Sequence, residues 1–232
     1  MRDRTAQRAS PSLFADIHAN RETNMPAIYS YVVAYDSGFA PNPFNNFCTL
    51  ATCKPKIRKH ASVGDWIVGT GSDRKGIRRG GFLVHAMRVE ETLKFSEYWN
   101  DPRFTSKKPN LFGSYRMASG DNIYCPEGDG WLQMNSYHSN KDGTPRADHI
   151  KKDTSVDRVL ISHDFVYFGA EGPEVPDHLK AYGLVHSGRG EHKISDIATI
   201  AAFEAWLNEL GVRGYQGKPF DMLEIARKRG AQ

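Results

Sequence analysis

Cys48-Thr-Leu-Ala-Thr-Cys-Lys-Pro-Lys-Ile-Arg-Lys-His-Ala-Ser-Val-Gly-Asp-Trp-Ile-Val-Gly-Thr-Gly-Ser72 is the stretch on which the fold turns. Gly64-Asp65 predicts a tight bend, because glycine accepts positive φ and the aspartate bonds nearby backbone amides. Trp66-Ile67-Val68 then predicts a short buried strand of aromatic and branched residues. Gly69-Thr70-Gly71-Ser72 ends it in bare backbone, which an anionic ligand can approach closely. A turn, a core strand and a second turn account for residues 64–72 as well as a ligand-lining role does. Ahead of the bend, Phe47 to Thr52 predicts another strand. Lys54 to His60 predicts a short helix or turn with Pro55 at its first position.

Outward from this stretch, Ile28 to Ala34 predicts a strand by its branched and aromatic content. Asp36 to Asn46 is a loop, since Pro41 and Pro43 forbid regular structure. Its Phe39 and Phe44 either plug the core or wall a pocket, the plug being favoured. Gly81 to Glu90 predicts a strand with a bulge, and His85 inside it is expected to be a structural residue. Glu91 to Trp99 is helix-compatible and stops at Asp101-Pro102. Residues 110–155 are loop-rich. Gly120 to Trp131 lacks the ligand series of a calcium loop, and Tyr137-His-Ser-Asn140 is a polar cluster. Arg158 to Phe168 predicts one or two buried strands. The clearest helix has Ser195 as its N-cap, an apolar face of Ile197, Ile200, Phe203, Leu207 and Leu210, and Gly211 as its stop. These elements predict the α+β class: one domain over 25–232, with a strongly bent mixed sheet and flanking helices.

The chain has 232 residues, 39% hydrophobic and 11% aromatic, enough for a sizeable core. Residues 1–24 are polar and arginine-bearing and predict a flexible basic tail, with Met25 a candidate native start. The formal charge of +4 permits a nucleic-acid partner without demanding one. Between residues 54 and 79, eight Lys or Arg face only two Asp. Three cysteines, an odd number, and no secretory signal predict a reducing cytoplasm. Cys48 and Cys53 have no second pair to complete a zinc site, so structural thiols and no metal or cofactor are expected. No apolar run reaches membrane-spanning length.

The common catalytic signatures fail. Gly71-x4-Gly76 is followed by Ile77-Arg78, so it is no phosphate-binding P-loop. Arg74 stands where a dinucleotide fingerprint needs its third glycine. There is no H-E-x-x-H motif and no G-x-S-x-G elbow.

Several runs are similar to the nucleotide modification associated domain family, its second type. They are Tyr29-Ser-Tyr-Val-Val-Ala34, Gly38-Phe-Ala-Pro-Asn-Pro-Phe44, Cys48-Thr-Leu-Ala-Thr-Cys-Lys-Pro55, Gly64-Asp-Trp-Ile-Val-Gly-Thr-Gly-Ser72 and Tyr98-Trp-Asn-Asp-Pro-Arg-Phe104. The resemblance spans roughly residues 26–220. It implies an α+β domain of bacteria and phages that accompanies genes for modifying nucleic-acid bases. The element order also resembles the PUA-like group, which includes EVE and ASCH domains. That likeness implies a PUA-like β-barrel with a pocket between the first loop and the strand after the Gly-Asp turn, where a modified or flipped base is held. The Tyr-His-Ser that many EVE domains carry after that strand is replaced by Gly69-Thr-Gly-Ser72, and Tyr137-His138-Ser139 lies far downstream.

The expected partner is therefore DNA, RNA or a nucleotide, with a modified base. Phe39, Phe44, Trp66 and Trp99 are the candidate stacking residues. Asn42, Thr49 and Thr70 are the candidate polar readers, beside the bare loop Gly69, Gly71 and Ser72. Lys54, Arg58, Arg74 and Arg79 are expected to hold phosphate. The alternative is an enzyme acting on a nucleotide or base, with Asp36, Asp101, Asp121, His138 and His163 as acid–base candidates.

Overall fold

Asp65 makes the bend at Gly64 by holding two amides at once. Its Oδ1 accepts from Ala27 N at 2.7 Å and its Oδ2 from Ser62 N at 2.8 Å. Gly64 takes φ 96°, a conformation that costs a side-chain-bearing residue dearly. The bend is thereby tied to the start of the first strand. The computed structural model describes residues 25–73, 76 and 78–221. The tail expected over 1–24 lies outside them.

In chain order the elements are β1 (Ile28–Val33), β2 (Cys48–Leu50), α1 (Pro55–His60), β3 (Trp66–Gly71), β4 (Leu83–Arg88), β5 (Glu91–Leu93) and α2 (Phe95–Asn100). They continue with α3 (Tyr115–Ala118), β6 (Tyr124–Glu127), β7 (Gly130–Gln133), α4 (Ala147–Asp153), β8 (Val159–Ser162) and β9 (Phe165–Tyr167). Last come α5 (Asp177–Ala181), β10 (Glu191–Ile194), α6 (Ile197–Glu209) and β11 (Gly214–Tyr215). Six strands form a mixed sheet in the order β10-β1-β3-β4-β9-β11. A smaller sheet runs β2-β8-β5, and β6 with β7 forms a hairpin.

The fold is α+β, as the sequence predicts. Of the two architectures expected, the mixed sheet is the one formed. A barrel would need β10 to bond β11, and these are instead the open edges. The predicted helix is α6, but its cap is Asp196, not Ser195. Asp196 Oδ2 accepts from Thr199 N at 2.8 Å, the bond a serine one residue earlier does not make. The segment 91–99 splits into β5 and α2. The bulge expected on β4 is found there: Gly69 pairs with His85 and Thr70 with Leu83, which leaves Val84 as the extra residue.

One topological fact positions the site. β1 and β3 are parallel neighbours, so the chain between them must cross over one face of the sheet. That crossover carries the 36–47 loop, β2 and α1. Cys48, Leu50, Ile57 and Ala61 on it pack against Tyr29, Tyr31, Val33 and Ile67 of the sheet. The opposite face is covered by α6, whose Phe203 meets Trp66 edge-on with ring centroids 5.5 Å apart. Phe203 is fully buried. Phe203→Ala should lower stability by about 3–5 kcal/mol in urea unfolding; a near-neutral change would mean that this ring does not bind α6 to the sheet.

Candidate active site

Cys53 sits at the joint between β2 and α1. It takes φ 58° and Lys54 after it φ 39°, two left-handed residues in succession, neither of them glycine. Such backbone is costly and is retained where it aims a side chain. The sharp strand-to-helix joint presents the Cys53 thiol, which is partly exposed, whereas Cys48 is buried in the core.

Two distant segments complete the arrangement. Cys53 Sγ lies 3.5 Å from His138 Nε2, and His138 Nδ1 lies 2.6 Å from Asp153 Oδ2. His138 comes from the loop after β7, and Asp153 is the last residue of α4. Asp153 is held in turn: Tyr124 Oη donates to its Oδ2 at 2.9 Å, and Cys53 N donates to its Oδ1 at 2.8 Å. Phe39 packs its ring 4.7 Å from the His138 ring, and the His149 ring stands 4.2 Å away on another side.

The electrostatics follow from this geometry. Burial works against the His138 imidazolium, but the bond to Asp153 and the presence of Cys53 outweigh it and push His138 up to about 9. Burial also works against the Asp153 carboxylate, yet the bonds from His138, the Cys53 amide and Tyr124 hold it below its ordinary value. The arrangement is a thiol, an imidazole that favours its protonated form and an orienting carboxylate, a set of groups used in nucleophilic catalysis.

The same three residues bring one ligand atom each within 4.8 Å of one another, so a metal ion has to be considered. Asp153 has Oδ1 occupied by the Cys53 amide and Oδ2 by Tyr124 and His138 Nδ1. One lone pair of Oδ1 remains, so an ion held by Cys53 Sγ, His138 Nε2 and that oxygen would compete with the bonds that orient Asp153. The set fits proton transfer better than coordination.

Many residues expected at a ligand site belong to the scaffold. Asn42 donates to Gly38 O and Ser119 O and accepts from Lys107 Nζ at 2.7 Å. Thr49 donates to Asp121 at 2.8 Å, beside Tyr98. Arg58 is fully buried and is not on a phosphate-facing rim: Nε reaches Cys53 O, Nη1 reaches Val156 O and Arg158 O, and Nη2 reaches Asp153 O. Phe44 is buried against Tyr115 and Tyr215. Trp66 is buried in the α6 face, its Nε1 on Glu204. Trp99 is half-buried under Lys108.

Gly69 gives room to His85, whose ring would collide with any Cβ there. His85 Nε2 lies 2.9 Å from Tyr31 Oη, and burial pushes the imidazole down to about 3, so it is neutral. Thr70 is fully buried. Gly71 and Ser72 line a groove of about 280 Å³ with Gly80 and Gly81. Arg79 donates to Gly172 O and lies over Phe82. Arg74 falls outside the described residues. Lys54 rests its Nζ 4.0 Å over the Tyr31 ring, next to Cys53.

Among the five acid–base candidates, His138 alone is joined to a thiol in the described residues. Asp36 accepts from Tyr167 Oη at 2.5 Å and is pushed by burial up to about 6. Asp101 caps the turn at 102–107 and pairs with Arg103. Asp121 bonds Thr49 and Tyr98. His163 is exposed beside Glu90. Residue type and spacing make Cys53 a structural thiol and pass over Asp153; the structure joins both to His138. One local signal points the other way: Cys53 stands between a predicted strand and a helix-starting Pro55, the joint at which nucleophiles are displayed.

A family model described as nucleotide modification associated domain 2 matches residues 25–226, and the chain belongs to that family. No curated protein and no solved structure matched it. Its association is thus with nucleotide modification, and no described helix is long and apolar enough to cross a membrane.

The pair His138–Asp153 makes stability depend on pH. A histidine whose folded pKa is raised from 6.5 to about 9 stabilises fully below 6.5 and loses that contribution as pH rises through 9. His138→Gln should therefore cost most stability near about pH 6, and the gap to the unmodified protein should close towards about pH 10. Urea unfolding of both across that window checks this.

Proposed function

We propose that the protein is an enzyme that acts on a nucleotide or nucleobase through a covalent bond to Cys53. The observation that carries the reading is the unbroken relay from Cys53 Sγ through His138 to Asp153. In the reactive form the Cys53 proton sits on His138 Nε2; the Sγ thiolate forms a bond to an electrophilic carbon of the substrate, and the electrons of that carbon's π-bond move onto its neighbour. Asp153 stabilises the imidazolium without taking its proton. The step reverses when the S–C bond breaks and Sγ leaves as the thiolate. Cys53 N already donates to Asp153, so it does not serve the developing negative charge. The Lys54 ammonium, beside the thiol, is the group placed to do so. Membership of a family associated with nucleotide modification supports that substrate class.

Recognition of a modified base without chemistry is the second reading. The groove at Gly71 and Ser72 favours it, since bare backbone there meets Gly80 and Gly81. The aromatic candidates favour it less, because Phe39, Phe44 and Trp66 are occupied by core contacts.

Iodoacetamide labelling followed by peptide mass mapping tests the nucleophile, with partly exposed Cys125 as internal reference. Cys53 should alkylate at least about tenfold faster than Cys125, and His138→Gln should remove most of that advantage. Equal rates at the two cysteines would overturn the covalent reading.

A further inference from the structure

The helices that carry Cys53 and Asp153 also carry a set of lysines. Lys56 and Lys59 project from α1, and Lys151 and Lys152 from α4; all four are exposed. None of the four is in an ion pair among the described residues. A groove of about 430 Å³ lies between α1 and the segment that follows α4, lined by Pro55, Lys56, Lys59, Ser155 and Val156, and Lys151 and Lys152 stand at the end of α4 just before that segment. Arg158 stands beside it and donates to Lys59 O at 3.1 Å. The groove adjoins the reactive centre along the chain, since Pro55 of its lining lies two residues after Cys53 and Ser155 two after Asp153.

Few carboxylates oppose these charges. Glu191 acts on Lys54, and Asp157 has Oδ1 committed to Phe95 N at 2.8 Å. The groove is also rigid, because Arg58 of α1 bonds Asp153 O of α4 and the Val156 and Arg158 carbonyls after it. A free nucleotide needs one cationic group or two. A row of exposed lysines spread over two helices suits a repeating phosphodiester backbone.

We propose that this groove is a nucleic-acid docking surface. A single-stranded polynucleotide lays its phosphates along the lysines of α1 and α4 and delivers one nucleotide to Cys53. A single strand is implied because a base stacked in a duplex does not expose its reacting carbon. The proposal rests on the covalent reading for the fate of that nucleotide, but the docking itself is separately testable.

The experiment is fluorescence anisotropy with short labelled single-stranded DNA and RNA oligonucleotides over a salt titration. Lys56→Glu/Lys59→Glu and Lys151→Glu/Lys152→Glu are compared with Arg88→Glu/Lys218→Glu, an equal charge change at exposed positions elsewhere on the surface. Thermal melts confirm that each variant is folded. Each groove variant should bind at least about tenfold more weakly at low salt, and its log–log salt slope should fall by about 0.7 for each phosphate it no longer neutralises. The control pair should change affinity little. The DNA and RNA arms show which backbone is preferred. If both groove variants bind like the control, the lysines are a solvated face and the proposal is wrong. If they release the oligonucleotide while Cys53 shows no selective alkylation, the docking surface stands and the covalent mechanism falls.

Discussion

The buried Arg58 guanidinium is the constraint on which the site depends. A charge withdrawn from water is tolerable only if its donors are met. Here they are met by four backbone carbonyls, those of Cys53, Asp153, Val156 and Arg158. Burial disfavours the cation, and the nearby Asp153 carboxylate offsets part of that cost. The consequence is geometric. One side chain locks the start of α1 to the end of α4, and so sets the Cys53 joint against Asp153. A hydrophobic residue of the same volume would fill the space but would leave those carbonyls without donors.

Around this lock, the sheet supplies a floor and the loops supply walls. The parallel pairing of β1 and β3 forces a crossover, and the crossover brings Cys53 to one face of the sheet. The 36–47 loop is held from within by Lys107, whose ammonium reaches Asn42 O, Asn42 Oδ1 and Phe47 O. Phe39 in that loop can then press on the His138 ring. The β6–β7 hairpin contributes Tyr124 and Gln133, which bond Asp153 and the His138 carbonyl. Every group in the relay is thus oriented by a second group behind it, which fixes geometry better than a single bond does.

The covalent reading proposed for Cys53 connects the relay to the family in chemical terms. Changing a nucleobase requires activating an unreactive ring or an attached group, and a thiolate adduct is one way to do so. Such chemistry needs a partly exposed nucleophile beside buried proton partners. Cys53 is partly exposed, while His138 and Asp153 are buried. The helices that carry Cys53 and Asp153 also expose Lys56, Lys59, Lys151 and Lys152.

Local pattern was enough for much of the fold. The Gly64-Asp65 bend, the strands at 28–33, 48–50 and 66–71, and the apolar face of α6 follow from residue type and spacing, because their causes lie within a few neighbours. The family resemblance was also legible, carried by those runs. What the sequence by itself could not decide was which polar residues meet. His138 lies 85 residues from Cys53 and 15 from Asp153, and only chain crossing and packing bring them within bonding distance. For the same reason Arg58, surface-like in its basic run, ended in the interior, and Asn42 and Thr49, ligand-like in their loop, ended in buried networks. A side chain's role is set by the partners that tertiary structure places around it, and residue type alone does not name them.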